Sequence, residues 1–347
     1  MLHRSTETQI NRSRKAFRLI GNKQQNSVKA MSAYIIKRLL LAIPTILGAV
    51  TIVFFAIHLA PGDPVALFVP ADLPGGVRED AVEEIRERYG FDKPLYEQYF
   101  TYVGRMVRLD FGRSMRQRSS VADDLRRRIL NTLQLGVAAL AVSAVIGITF
   151  GAIAAVKKDS WLDNLVMFGA LFGVSMPNFW LAMVLMFIFG LYWGVLPPSG
   201  FGGALYTWEG LKYGILPIMT LGISGSGHLA RYTRSSMLEV INRDYVRTAH
   251  AKGLTRYAVI MRHALRNAMI PVITILGLSF GEVLSGAVIV ETVFGWPGVG
   301  RYLVTGINGR DFPVVQATVL VIAIAFVIGN LLSDILIAYI DPRIRFD

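Results

Sequence analysis

The sequence contains no cysteine, and it lacks several signatures of catalysis. Without cysteine the chain can form no disulfide, CxxC redox site or thiolate metal site. It also has no GxxxxGKS or GxxxxGKT phosphate loop, no HExxH and no GxSxG, which excludes the common ATP, zinc-protease and serine-nucleophile motifs. His58, His228, His250 and His263 are scattered rather than placed at metal-ligand spacing. We therefore expect that the chain is not an enzyme by itself and binds no cofactor.

Charged residues are also scarce, at 17% of the 347 residues, whereas 53% are hydrophobic. This balance is typical of a protein that resides in a lipid bilayer. The formal net charge of +12 could suit nucleic acid, but the Lys and Arg residues cluster at the edges of apolar segments and form no continuous polar domain. We expect the bilayer, and not nucleic acid, to be the surface that these charges meet.

The first thirty residues are polar and basic, with almost no apolar periodicity. Their composition predicts a disordered cytoplasmic tail over residues 1–30. No apolar core of signal-peptide length precedes Leu39. Translation that starts at Met1 and translation that starts at Met31 both fit this pattern.

Long uncharged or nearly uncharged runs dominate the rest of the sequence. A helix needs about 20 apolar residues to cross the hydrocarbon core of a bilayer, and six runs approach or exceed this length. They predict an all-α integral membrane protein with six transmembrane helices. The runs are Leu39 to Ala60, Ile129 to Val156, Leu165 to Trp193, Tyr213 to Ala230, Ala268 to Val290 and Phe312 to Ile340.

Lys and Arg side chains predict the orientation of these helices. The tail up to Arg38 carries nine basic residues against Glu7, and the segment from Arg231 to Arg266 carries eight against two acidic ones. The positive-inside rule places both segments, and therefore both termini, in the cytoplasm. Arg126–Arg128 oppose this orientation, but they end a loop of about seventy residues, where the rule is weak.

The predicted organisation follows from these runs. It consists of a tail at 1–30, a first transmembrane helix at 31–60, an extracytoplasmic loop subdomain at 61–128, a core with five transmembrane helices at 129–341, and a cytoplasmic tail at 342–347.

The loop subdomain contains two amphipathic patterns. REDAVEEIRERYGF predicts a short helix that ends at Gly90, and a second helix is predicted to begin after Pro94. These helices either cap the bundle or also contact a ligand, and the pattern leaves both possibilities open.

Acidic residues and closely spaced glycines stand out within the apolar runs. An ionisable group at membrane depth costs roughly 2.5 to 3.5 kcal/mol on insertion scales, so Glu282, Glu291 and Asp334 are expected to face the bundle interior or a water-filled cavity. Glu282 either faces a pathway or bonds polar groups of a neighbouring helix. GxxxG patterns, which allow close helix contact, occur at Gly147 and Gly151, Gly169 and Gly173, Gly190 and Gly194, and Gly277 and Gly281.

The basic segment from Arg231 to Asn267 predicts a helix, a break at Gly253, and a second helix that runs into the fifth apolar run. One apolar stripe on the first helix suits either a membrane surface or a groove on a partner protein. Periodicity alone leaves both open. The stripe consists of Met237, Val240, Ile241, Tyr245, Thr248 and Ala249.

This segment resembles the cytoplasmic loop of ABC-transporter permeases, in which Glu-Ala-Ala is followed by Gly and later by Leu-Pro. The corresponding positions are Arg247-Thr248-Ala249, Gly253 and Leu265-Arg266. Arg replaces the Glu and Arg266 replaces the Pro. The form YVRTAHAKGL followed by RHALRNAMIPV resembles the variant of the dipeptide, oligopeptide and nickel importers, the DppB/OppB type.

Further stretches resemble the same family in the same order, and together they cover about residues 31 to 345. They are KRLLLAIPTILGAVTIVFFAIHLAPGDPV, GFDKPLYEQY, LDFGRS, MPNFWLAMVL, ETVFGWPGVGRYLV and DPRIR.

The resemblance implies the type I ABC importer permease fold in the bacterial inner membrane. It implies a subunit that forms half of a translocation pathway for di- or oligopeptides. The implied partners are a second homologous permease, two ATP-binding subunits that hold ATP and Mg, and an extracytoplasmic substrate-binding protein. Import of nickel chelates, glutathione or opines by the same machinery remains an alternative, as does an ion-coupled secondary transporter.

The resemblance also implies which residues carry the function. The helix before Gly253 is expected to dock on an ATPase subunit as a coupling helix, and Asn178, Ser279 and Glu282 are expected to line the translocation pathway. The coupling residues implied are Asp244, Tyr245, Arg247, Thr248, Ala249, Ala251, Lys252, Gly253 and Leu254.

Overall fold

The computed structural model describes residues 37, 39–56, 58–59, 79–80, 82–84, 86–87, 90, 92–282 and 287–340. Within these ranges the chain is helical apart from its turns and one isolated bridge between Arg113 and Ser120. The helices are α1 (Leu39–Ala56), α2 (Leu95–Val107), α3 (Val121–Val156), α4 (Trp161–Ser175), α5 (Asn178–Leu185, continued by a π-helix at Met186–Tyr192), α6 (Trp208–Ile241), α7 (Asp244–Ala251), α8 (Arg256–Ala258, a π-helix at Val259–Leu265, then Arg266–Glu282), α9 (Val288–Phe294), α10 (Val299–Asn308) and α11 (Phe312–Ile340).

Four of the described helices are long and apolar enough to cross a membrane, and a fifth crossing results if the bent pair α4 and α5 counts as one. The predicted third span, Leu165 to Trp193, is therefore not one straight helix: α4 and α5 meet at 107°. Pro177 explains the bend, because proline restricts the residue before it to extended backbone. Met176 has φ −76° and ψ 128°.

The predicted fourth span lies inside α6, which is longer than expected at 34 residues. This helix is not among those apolar enough to count as a span, so a total of six spans remains a prediction. The fifth run is also interrupted, because Ala287 forms a turn and α9 starts at Val288, while residues 283–286 lie outside the described part of the structure.

The most extensive helix packing joins α3 to α6. A Cβ on Gly147 would lie 2.5 Å from Leu229 Cβ, and one on Gly151 would lie 2.5 Å from the Ala230 carbonyl oxygen. The predicted close contact at this GxxxG pattern is confirmed. Gly169, by contrast, has no atom within 4 Å of its Cβ position, so of the pair Gly169 and Gly173 only Gly173, 3.4 Å from the Ile223 carbonyl oxygen, lies at a helix contact.

The cap end of the bundle is the end at which α3, α6 and α11 begin. The predicted helix after Pro94 is confirmed as α2, which packs on α1 through an aromatic cluster. The loop before α3 is tied to α11, because Asp311 accepts hydrogen bonds from the hydroxyl of Ser114 and from the amides of Met115 (3.1 Å) and Arg116 (3.2 Å). The cluster through which α2 packs on α1 consists of Val50, Phe54, Tyr102, Met106 and Leu320.

Helix α3 begins at Val121, eight residues before the predicted start at Ile129. Ser120 caps its first turn, and the arginines that opposed the predicted orientation lie inside the helix. Arg127 pairs with Asp124 at 2.8 Å, and the guanidinium of Arg128 lies 4.2 Å from the ring centre of Tyr302. Burial raises the pKa of the Tyr302 phenol, so this ring remains neutral beneath the cation.

Candidate functional site

At the opposite end of the bundle, the basic segment folds into a short separate helix, α7. The prediction of one helix up to Gly253 is wrong, because α6 ends at Ile241 and α7 begins at Asp244. Arg243 leaves the helical path with φ −75° and ψ 148°, and the side-chain amide of Asn242 before it donates to the Leu238 carbonyl oxygen at 3.0 Å. Such local side-chain bonds compete with continuation of a helix.

The predicted break at Gly253 is confirmed. Gly253 has φ +78°, a left-handed conformation, and its amide donates to the His250 carbonyl oxygen at 3.0 Å. Nothing lies within 4 Å of a Cβ built on it. Glycine is therefore needed here for its backbone and not for space.

Two faces of α7 differ sharply. Val246 and Ala249 are buried against Val259 and Val240 and hold the helix to the bundle. The predicted single stripe is divided, because Met237 packs in another cluster with Ala155, Ala264 and Ala268. Ala249 is thus the one predicted coupling residue that is buried. The exposed ones are Asp244, Tyr245, Arg247, Thr248, Ala251, Lys252, Gly253 and Leu254.

A cavity of about 510 Å³ lies along α3, α6 and α8 at the start of α5. Asn178 and Ser279, two of the three predicted pathway residues, both line it. The side chain of Glu282 lies outside the described part of the structure. Sequence reasoning missed the other polar lining residues, because nothing local marks them: Ser143, Ser224, His228 and Tyr232.

The lining of this cavity combines apolar side chains with uncharged polar ones. Its described lining contains hydroxyl, amide and imidazole groups and no Asp, Glu, Lys or Arg. The side-chain oxygen of Asn178 is buried and accepts no hydrogen bond from the described residues. A buried acceptor of this kind normally has a partner, but this oxygen is itself inaccessible, so a ligand in the cavity would meet the other polar groups of the lining.

Glu291 faces the interior of the bundle, one of the two positions expected for it. It is fully buried in α9, where its carboxylate accepts from the Thr132 hydroxyl (2.6 Å) and the Arg301 amide (3.1 Å). Gly298 passes so close that a Cβ there would lie 2.1 Å from the carboxylate. Glu291 therefore fixes the loop between α9 and α10 onto α3. The GWPGVG stretch that follows Glu291 is the sequence feature that could have indicated this contact.

Comparison with known proteins identifies the family. Residues 147–346 match the model for the binding-protein-dependent transport system inner membrane component, and residues 31–136 match the model for its N-terminal region. The chain belongs to this family. It is a permease of the ABC importers of the peptide type, as the sequence motifs predicted.

Two curated relatives match the whole of their own length and 91% of this permease. One is the dipeptide transport system permease protein DppB of Alkalihalophilus pseudofirmus, 40% identical over 337 residues. The other is the glutathione transport system permease protein GsiC of Escherichia coli (strain K12), 42% identical over 318 residues. A solved structure, a crystal structure of an amino acid ABC transporter with histidines, aligns with a TM-score of 0.48 and 16% identity, over 63% of this permease and 93% of that chain.

The family places the permease in the inner membrane as a multi-pass subunit. It also implies that the permease works with an ATPase and with a substrate-binding protein.

Proposed function

We propose that the permease forms one half of a translocation pathway for di- and oligopeptides. The observation that carries this proposal is the uncharged cavity, in which hydroxyl and amide groups, among them those of Ser279 and Asn178, lie between apolar side chains. A peptide main chain supplies both N–H donors and carbonyl acceptors, which hydroxyl and amide groups can bind. A neutral lining also tolerates acidic and basic side chains alike, because it contains no fixed charge that would repel either.

The proposed assembly contains a second homologous permease, two ATP-binding subunits and an extracytoplasmic substrate-binding protein. The proposed topology has six spans, with the bent pair α4 and α5 as one crossing and α6 as another, and with both termini in the cytoplasm. The excess of basic residues between Arg231 and Arg266 supports this orientation.

Energy for transport is proposed to enter through α7. Its exposed face carries Asp244, Tyr245, Arg247 and Thr248, while Val246 and Ala249 bind the helix to the bundle. An amphipathic helix presented in this way suits a groove on a partner. ATP and Mg would bind on the ATPase subunits, and the permease itself would hold no cofactor.

Glutathione is the second candidate substrate, because a relative named as a glutathione transport system permease is 42% identical to this permease. Glutathione is itself a short peptide with an uncommon linkage, so the same neutral cavity suits it.

Reconstitution tests the proposed function. The complete importer, in proteoliposomes that contain ATP, should accumulate labelled dipeptides only when the binding protein is present. An ATPase-inactive complex provides the control. Competition with glutathione, nickel chelates and opines would rank the substrates, and uptake driven by an ion gradient without ATP would contradict the proposal.

A further inference from the structure

Helices α4 and α6 form an antiparallel pair with contacts at three successive levels. A Cβ on Gly173 would lie 3.4 Å from the Ile223 carbonyl oxygen, and one on Gly227 would lie 2.4 Å from the Ala170 carbonyl oxygen. Seven residues further along each helix, toward the α7 end, Arg234 binds Asp163. Because seven residues are about two helical turns, the ion pair continues the same line of contact.

The ion pair is bidentate, with a buried carboxylate and a guanidinium whose side chain is 26% exposed. Nε of Arg234 lies 2.6 Å from Oδ1 of Asp163, and Nη2 lies 2.6 Å from Oδ2. Asp163 is only 2% exposed, and it also accepts from the Asp159 amide at 3.0 Å. A paired fork of this kind fixes orientation as well as distance, and separating it would leave a charge buried without its partner.

The two ends of this contact line lie next to the proposed sites. Arg234 is on the last two turns of α6, which lead directly to α7. Asp163 is in the first turn of α4, and α4 leads to the bend at Pro177 and to Asn178 in the cavity. A displacement of α7 thus has a short, closely packed route to the cavity.

We propose that the Asp163–Arg234 pair makes α4 and α6 move as one rigid unit, so that motion of α7 on the ATPase reaches the cavity. Both are positioning residues, since neither touches substrate. The proposal rests on the proposed function, because it needs an ATPase that acts on α7. Rigid elements that carry motion between two sites are the physical basis of such coupling.

Substitution within the complete importer separates coupling from stability. Asp163→Asn and Arg234→Gln should keep binding-protein-stimulated ATP hydrolysis but lower the amount of peptide imported per ATP by about tenfold. Glu209→Gln is the matched control: it removes an exposed ion pair within α6 itself, with Lys212 at 3.2 Å, far from α7. It should leave the ratio unchanged.

The exchanged pair Asp163→Arg with Arg234→Asp should restore part of the lost import per ATP. An unchanged ratio in the assembled single variants would overturn the proposal. If a single variant fails to assemble, import per ATP in the exchanged pair becomes the deciding result. Absence of restored import then counts against the proposal.

A distance measurement tests whether α4 and α6 move as one rigid unit while the ion pair is intact. The sequence has no cysteine, so Trp161→Cys on α4 and Glu239→Cys on α6 can be spin-labelled uniquely in this subunit. The label distance should stay constant between nucleotide-free and ATP-bound importer, and a change in it would overturn the proposal. If wild-type importer hydrolyses ATP but imports no peptide, the proposed function fails instead, whatever the label distance.

Discussion

At the cap end of the permease the acidic side chain of α9 points inward, whereas on α7 the charged side chains point outward. Glu291 is fully buried and its carboxylate binds Thr132 and the Arg301 amide. On α7 only Val246 and Ala249 are buried, and the charged residues face solvent. A polar cluster that is satisfied within the chain holds the fold, and one that is left exposed is available to a partner.

The largest effect is expected from breaking the inward cluster. Glu291→Leu should destabilise the permease by about 2 to 4 kcal/mol, because it leaves the Thr132 hydroxyl and the Arg301 amide without their buried acceptor. Thermal unfolding in detergent measures this loss. Glu291→Gln keeps one acceptor oxygen and should lose less, and equal stability of the Leu variant and wild type would contradict the assigned contact.

On the outward side, Gly253→Leu should uncouple ATP hydrolysis from uptake while membrane insertion remains intact. The left-handed backbone at φ +78° costs a residue such as Leu about 1 to 2 kcal/mol, because its Cβ meets the following carbonyl oxygen, and relief of this strain would turn α7 away from its orientation. Import per ATP is the measurement. Gly253→Asn is the matched control, since Asn adopts this conformation readily, and normal import by the Leu variant would count against docking at α7.

A smaller effect is expected from the exposed face of α7 itself. Arg247→Glu should weaken binding of the ATPase subunits without changing the stability of the permease, because Arg247 is exposed and contacts Asp244 only at 4.0 Å. Co-purification of the ATPase subunits at increasing salt measures this. Full retention at every salt concentration would indicate that this face is not the docking surface.

The smallest effect is expected in the cavity. His228→Asp should favour cationic over anionic dipeptides by about threefold, since a new charge in a wet cavity acts through a high effective dielectric. Competition between labelled Lys-Lys and Glu-Glu measures the ratio. His228→Lys should shift the ratio in the opposite direction. Identical ratios in the two variants would indicate that His228 does not line the pathway.

Local rules predicted several features correctly from the sequence. Pro94 and the pattern after it predicted the start of α2, and Gly253 predicted the break after α7. The same rules failed where two signals overlapped. An uncharged run concealed the bend at Pro177, and helix-favouring residues concealed the end of α6 at Ile241.

The sequence by itself determined the membrane class, the family and the break at Gly253, because apolar run length, ordered motifs and backbone freedom are properties of neighbouring residues. Only the tertiary structure decided that Glu291 binds Thr132, that Asn178 and Ser279 share a cavity, and that Asp163 binds Arg234. The residues in each of these pairs are separated by 71 or more positions along the chain. Burial and pairing of polar groups depend on which helices meet, and no local pattern encodes that meeting.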